Sequence, residues 1–208
     1  LADGGFYVSW FDNAAGGYDV RLQRLSATGV ELWPHNGVLV ADRNLSSTTD
    51  YGLSVDTAGN ALLAFNDDSE ASERIVAAKI SPDGLAIWGT PGIAVSTSTG
   101  FLASPRIAGT DDGDVVVAWF QVSDTVLQRL DPAGAKLWAT DGLVLAHSGD
   151  TFVVADLQAT GANGGLDTGN VIVSWVRYAT FAGAKHLWAQ KLDPDGLPLW
   201  GAGHKQVF

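Results

Sequence analysis

The stretch Val126 to Trp138 reads VLQRLDPAGAKLW, and close copies of it recur at three other places in the chain. They are VRLQRLSATGVELW ending at Trp33, VAAKISPDGLAIW ending at Trp88, and LWAQKLDPDGLPLW ending at Trp200. In each copy an alternating strand runs into a small-residue turn and a Gly, and a Trp stands four residues after that Gly. The pairs are Gly29 and Trp33, Gly84 and Trp88, Gly134 and Trp138, and Gly196 and Trp200. This spacing predicts a β-hairpin whose register is pinned by its turn.

A second landmark marks the same repeat. Gly4 precedes Trp10, Gly59 precedes Phe65, Gly113 precedes Trp119 and Gly169 precedes Trp175, each by six residues. The turns before these strands, ADGG, DTAGN, TDDGD and LDTGN, carry the Asp, Asn and Gly that tight hairpins use. The aromatic anchors lie 54 to 56 residues apart, a period of propeller size. No segment holds a 3.6-residue apolar periodicity over three turns, so the expected class is all-β.

The expected architecture is a β-propeller of four repeats of about 50–55 residues, each a four-stranded antiparallel blade, forming a single domain or part of a larger ring. The blades are placed at roughly 1–47, 48–99, 100–150 and 151–208. In the third, the strands expected are Ser104 to Thr110, Asp114 to Gln121, Thr125 to Asp131 and Lys136 to Ala146. The second of these is almost continuously apolar, which predicts burial on both faces. The first repeat begins at an A-to-B turn and lacks its A strand, whereas the last ends on a D strand near Lys205 to Phe208. An open sheet edge invites pairing, so a second chain or further blades of the same polypeptide are the expected partners. The absence of Met and the start at Leu1 suggest a mature fragment.

Composition narrows the function classes. Of the 208 residues, 46% are hydrophobic and 17% charged, as in a folded protein, and no apolar run is long enough to span a bilayer as a helix. The net charge of −11 opposes any phosphate-backbone partner, which excludes nucleic acid. No Cys is present, so disulfides, thiolate metal sites and Cys nucleophiles are excluded together. An acidic chain rich in Gly, Ser and Thr suggests an extracellular or cell-surface protein, with the periplasm as an alternative.

The hairpin Ser81-Pro82-Asp83-Gly84-Leu85-Ala86-Ile87-Trp88 resembles the Asp-box of sialidase-type and related β-propellers, whose pattern is Ser, any, Asp, any, Gly, any, any, Trp. Ser81, Asp83 and Trp88 fall on that pattern. The Gly sits one place early, and other copies carry Asp131 or Asp193 for the Ser and Thr28 or Ala133 for the Asp. The wider pattern, an aromatic-ended strand followed by Gln-Arg-Leu and Asp-Pro-x-Gly, resembles repeats of large secreted bacterial propeller proteins and covers nearly the whole chain. The resemblance implies fold more than activity.

Each candidate site has a structural reading beside it. Trp33, Trp88, Trp138 and Trp200 form either a ring of sugar-stacking platforms or a set of wedges between blades, each N–H finding a backbone acceptor; repetition at equivalent positions favours wedges. Trp10, Phe65, Trp119 and Trp175 read as core. Gln23, Gln128 and Gln190 share one strand position, held by Ala78 in the second repeat, and suit a structural amide bond. Asp111, Asp112 and Asp114 offer hard oxygen ligands for Ca²⁺, yet they sit at a hairpin tip where Asp is favoured anyway; no other cofactor is expected. His35, His147, His186 and His204 are scattered without metal spacing. Arg106 resembles the first Arg of a sialidase carboxylate clamp, without a matching Tyr and Glu pair. The function expected is a non-catalytic binding or structural module that presents loops for glycan or protein recognition. The alternative is a fragment of a sialidase-like glycan-active enzyme.

Overall fold

The computed structural model describes every residue except 15, 45–49, 71, 147 and 162–166. His147 and the stretch 162–166 ahead of Asp167 therefore lie outside the described residues. The described part is built of antiparallel strands, with no α-helix.

The strands fall into four sheets. The first holds β1 (Phe6–Asp12), β2 (Asp19–Leu25) and β3 (Val38–Ala41); the second, β4 (Tyr51–Val55), β5 (Ala61–Asp67), β6 (Arg74–Ile80) and β7 (Ile93–Ala94). The third holds β8 (Leu102–Gly109), β9 (Val115–Gln121), β10 (Asp124–Leu130) and β11 (Leu143–Leu145). The fourth holds β12 (Thr151–Ala159), β13 (Val171–Tyr178), β14 (His186–Leu192) and β15 (Lys205–Gln206). Within each sheet the spatial order follows the sequence, so every sheet is a meander. Among the described residues the first sheet has three strands, and β1 is its edge.

One expected strand differs. Lys136 to Ala146 was to be a continuous D strand, whereas the chain makes a single bridge, Lys136 to Leu130, and rejoins the sheet only at β11. The same bridge recurs as Leu25 to Glu31, Ile80 to Ala86 and Leu192 to Pro198. Between bridge and D strand the backbone leaves the blade to carry its Trp toward the next one, and a ladder cannot follow that detour.

Successive sheets pack face to face in three apolar layers. Tyr7, Val20 and Leu22 of the first sheet meet Ala61, Leu63 and Phe65 of the second. Leu62 and Ala64, on the other face of β5, meet Val115, Val117 and Trp119 of the third. Val116, Ala118 and Phe120 meet Val171, Val173 and Trp175 of the fourth. The period-2 alternation of strand side chains places the two sets on opposite faces. A strand with a neighbour on both sides is then covered on both faces, and β5 is buried along its whole length, apolar from Ala61 to Phe65. The first strands of the later sheets, β4, β8 and β12, also contact one another in series, so the blades meet along their inner edges.

Candidate functional site

The inner strands carry a register position at which the residue changes in kind from repeat to repeat. Gly52 pairs with Ala64, Arg106 with Ala118 and Asp156 with Ser174, each partner lying one residue before the strand-B anchor Phe65, Trp119 or Trp175. The next position on the same face holds Ser54, Ala108 and Gln158, opposite Leu62, Val116 and Ile172. Around these side chains lies a cavity of about 330 Å³, lined by Tyr51, Gly52, Leu53 and Ser54 of β4, Arg106 and Ile107 of β8, and Asp156, Leu157 and Gln158 of β12.

Local backbone features set the two charged groups in place. The β8 ladder slips between Ala103 and Arg106, and the β12 ladder between Val154 and Asp156. A bulge bends the strand and re-aims the side chain that follows it, so Arg106 and Asp156 each stand directly after one. In β8 the bulge holds Ser104, at φ 52°, and Pro105, which has no N–H to contribute to a ladder. Asp50 fastens this turn by accepting the N–H and hydroxyl of Ser104 at 3.2 and 3.3 Å. Gly52 provides room: a Cβ there would lie 3.1 Å from Arg106 Cα, Ile107 N and Pro105 O.

Arg106 is half-buried. Its Nε donates to Ala155 O at 3.0 Å and its Nη1 to Pro105 O at 2.9 Å, while Nη2 has no protein partner among the described residues. Asp156 accepts from Gln158 Nε2 at 3.1 to 3.3 Å and is otherwise open to solvent. The cavity thus offers a charged donor, a carboxylate acceptor, a hydroxyl and an amide, the groups that bond the hydroxyls of a polar ligand.

The other residues singled out in the sequence lie elsewhere. Trp33, Trp88 and Trp138 each reach the next blade and donate Nε1 to the carbonyl of Pro82, Pro132 and Pro194 at 3.0, 3.0 and 2.9 Å. Gly84, Gly134 and Gly196, in the same receiving turns, have φ of 82°, 92° and 82°, and a Cβ on them would meet the incoming indole at 3.3 to 3.4 Å. Gly29, at φ 80°, has nothing within 4 Å of that position. The three Gln side chains splint this excursion. Gln128 Oε1 accepts the N–H groups of Trp138 and Arg129 at 3.1 and 2.9 Å, and its Nε2 donates to Ala139 O at 2.8 Å. Gln23 and Gln190 hold Trp33 and Trp200 in the same way. Phe65, Trp119 and Trp175 are fully buried and Trp10 is half-buried.

The Asp cluster is taken up by protein donors. Asp112 and Asp114 accept from Arg129 Nη2 and Nε, both at 2.7 Å, and Asp111 accepts the Gly169 N–H at 2.7 Å. Among the described residues no group of three or more His, Asp or Glu is arranged to hold a metal. Arg129 belongs to a repeated pairing that sequence reading passed over. The residue after the Gln or Ala position meets the Asp of the A-to-B turn in every blade: Arg24 with Asp3 at 2.6 Å, Lys79 with Asp56 at 2.9 Å, Arg129 with Asp112, and Lys191 with Asp167. Burial alone pushes the Asp56 carboxyl up, but hydrogen bonds from Asn60 and Lys79 outweigh it and hold the group below its ordinary value.

The chain matches no protein-family profile and no curated protein. Its fold does match solved structures. An endo-arabinase from Bacteroides thetaiotaomicron VPI-5482 superposes with a TM-score of 0.50 at 11% identity, over 94% of this chain and 76% of that one. An endo-1,5-alpha-L-arabinanase from Thermotoga petrophila RKU-1 superposes with a TM-score of 0.51 at 14% identity, over 100% of this chain and 58% of that one. The chain therefore spans only part of either structure. At such identities the likeness shows the fold, a β-propeller, and nothing about chemistry.

Proposed function

We propose that the cavity between β4, β8 and β12 is a non-catalytic glycan-recognition site of a secreted or cell-surface protein. The observation that carries the reading is the register position shared by Gly52, Arg106 and Asp156. At this position the residue changes from space to cation to carboxylate around a single cavity, whereas the cation–Asp pairs recur in each blade. Arg106 Nη2 is available to donate to a ligand, and Asp156, Ser54 and Gln158 supply acceptors and further donors. Glycoside hydrolysis in its common form needs two carboxyl groups flanking the scissile bond. The described lining provides one, Asp156, which favours binding over turnover. The acidic composition and the propeller fold shared with two arabinan-cleaving enzymes support a glycan and an extracytoplasmic setting.

The test is titration calorimetry with a panel of neutral and acidic oligosaccharides, arabino-oligosaccharides among them, alongside a reducing-sugar assay. Binding without release of reducing ends, weakened at least tenfold by Arg106→Ala in a variant that melts like the parent, is the expected result. Sugar release abolished by Asp156→Asn would establish the enzyme reading instead. Binding unchanged in Arg106→Ala would remove the cavity from consideration.

A further inference from the structure

The two outward-looking faces of the chain are the two halves of the contact that already joins its blades. Each internal junction has three parts. An odd-register face of one strand B, such as Ala61, Leu63 and Phe65, receives the even-register face of the preceding blade. A Trp from the preceding blade reaches across. The carbonyl two residues before a positive-φ Gly accepts its indole N–H.

The first sheet presents the receiving half with no described residue of another blade on it. Phe6 and Val8, equivalent to Ala61 and Leu63, are 46% and 39% exposed, where Ala61 and Leu63 are fully buried. Ala27 stands where Pro82, Pro132 and Pro194 stand in the later turns. Its carbonyl accepts no hydrogen bond among the described residues, and Gly29 beside it has open space where the later turns hold an indole. The fourth sheet presents the donating half. Trp200 is positioned by Gln190 as Trp138 is by Gln128, yet its Nε1 has no partner among the described residues. Ile172 and Val176, on the outward face of β13, are only half-buried.

We infer that the fourth blade of one chain docks on the first blade of a second copy of this chain. Trp200 Nε1 donates to Ala27 O of that copy, and Phe6 and Val8 are covered by the outer face of β13. Continuity with three existing junctions identifies the occupant: both complementary halves are on this one sequence and each repeats a geometry already realised within it. The contact is head to tail, so one copy uses its fourth blade where the other uses its first.

Sedimentation velocity on the 208-residue chain over a dilution series tests this, in enough salt to screen the −11 charge of each copy. Trp200→Ala removes the donating half and Val8→Asp blocks the receiving half; circular dichroism melts report whether each variant folds. The parent is expected to shift to larger species as concentration rises, and each variant alone to remain a monomer. An equimolar mixture of the two is expected to form a one-to-one dimer, because each retains the half the other has lost. A parent that stays monomeric at every concentration overturns the inference, as does self-association of the Val8→Asp chain. That second substitution keeps the test decisive should Trp200→Ala unfold.

Discussion

Strands β5 and β1 occupy the same place in their blades and bury different amounts. All seven residues of β5 are buried, whereas in β1 burial alternates, with Tyr7 and Ser9 inside and Phe6 and Val8 outside. The residue types do not account for this, since Phe6 is larger and more apolar than Ala61. The difference is a neighbour: β5 lies between two sheets and β1 beside one. Burial in this fold is thus a property of the junction rather than of the strand, and the worth of a residue depends on which junctions it belongs to.

The largest effect should separate the anchors. Trp119 is fully buried between the second and third sheets, so Trp119→Ala should cost on the order of 3–5 kcal/mol. Trp10→Ala, at the same repeat position on the half-exposed face of β1, should cost less than half as much by urea denaturation. Equal losses would mean that the anchors act within their own blade.

A middling effect concerns the Gln splint. Gln128 is fully buried and satisfies two N–H groups and a carbonyl. Gln128→Ala should therefore lower stability by roughly 1–3 kcal/mol, because donors and an acceptor are left behind. The second blade is the natural comparison. There Ala78 holds the position, so Ala78→Gln should fail to stabilise unless its turn can close on the new amide.

A smaller effect isolates the indole bond. Trp138→Phe keeps much of the ring and removes the Nε1 donation to Pro194 O, and should cost about 0.5–1.5 kcal/mol. Trp200→Phe has no such bond to lose within the monomer, and its melting temperature should stay near that of the parent.

The smallest effect is a pH dependence confined to the fourth blade. Burial, together with the charge of Arg177, holds the His204 imidazole below its ordinary value of 6.5. The unfolded chain then binds this proton more readily than the folded one, so the stability contribution is present above 6.5 and is lost as pH falls through the folded value. Melting temperature should decline slightly on acidification below about pH 6.5, before carboxylates such as Asp56 titrate. His204→Gln should flatten that decline.

How much of this was legible in the sequence follows from what each feature depends on. The hairpins were legible because Gly84, Gly134 and Gly196 and their Trp partners act at fixed local spacing. The two-sided burial of β9 was legible from its unbroken apolar run. The short D strands were not, because Lys136 to Ala146 reads as one strand until Trp138 is seen to leave for Pro194. In the cavity, Arg106 is singled out through its resemblance to the first Arg of a sialidase carboxylate clamp, but Asp156 and Gln158 are not. An extra residue at Ala155 shifts the register of β12, so Asp156 aligns with Arg106 only once the bulge is counted. The pairing of Arg129 with Asp112 was hidden for a different reason: Arg129 lies on β10 and Asp112 in the turn between β8 and β9, and charge patterning along one strand cannot join them.

The most direct test of the account, that burial belongs to junctions, needs no substitution. Amide hydrogen exchange followed by mass spectrometry, at dilution low enough to keep copies apart, reads the local opening free energy of each strand. The expected result is slowest exchange in β5 and β9, which have sheets on both sides, and faster exchange in β1, with β13 between them. Protection of β1 equal to that of β5 would contradict the account, since it would place the stability within each blade rather than between blades.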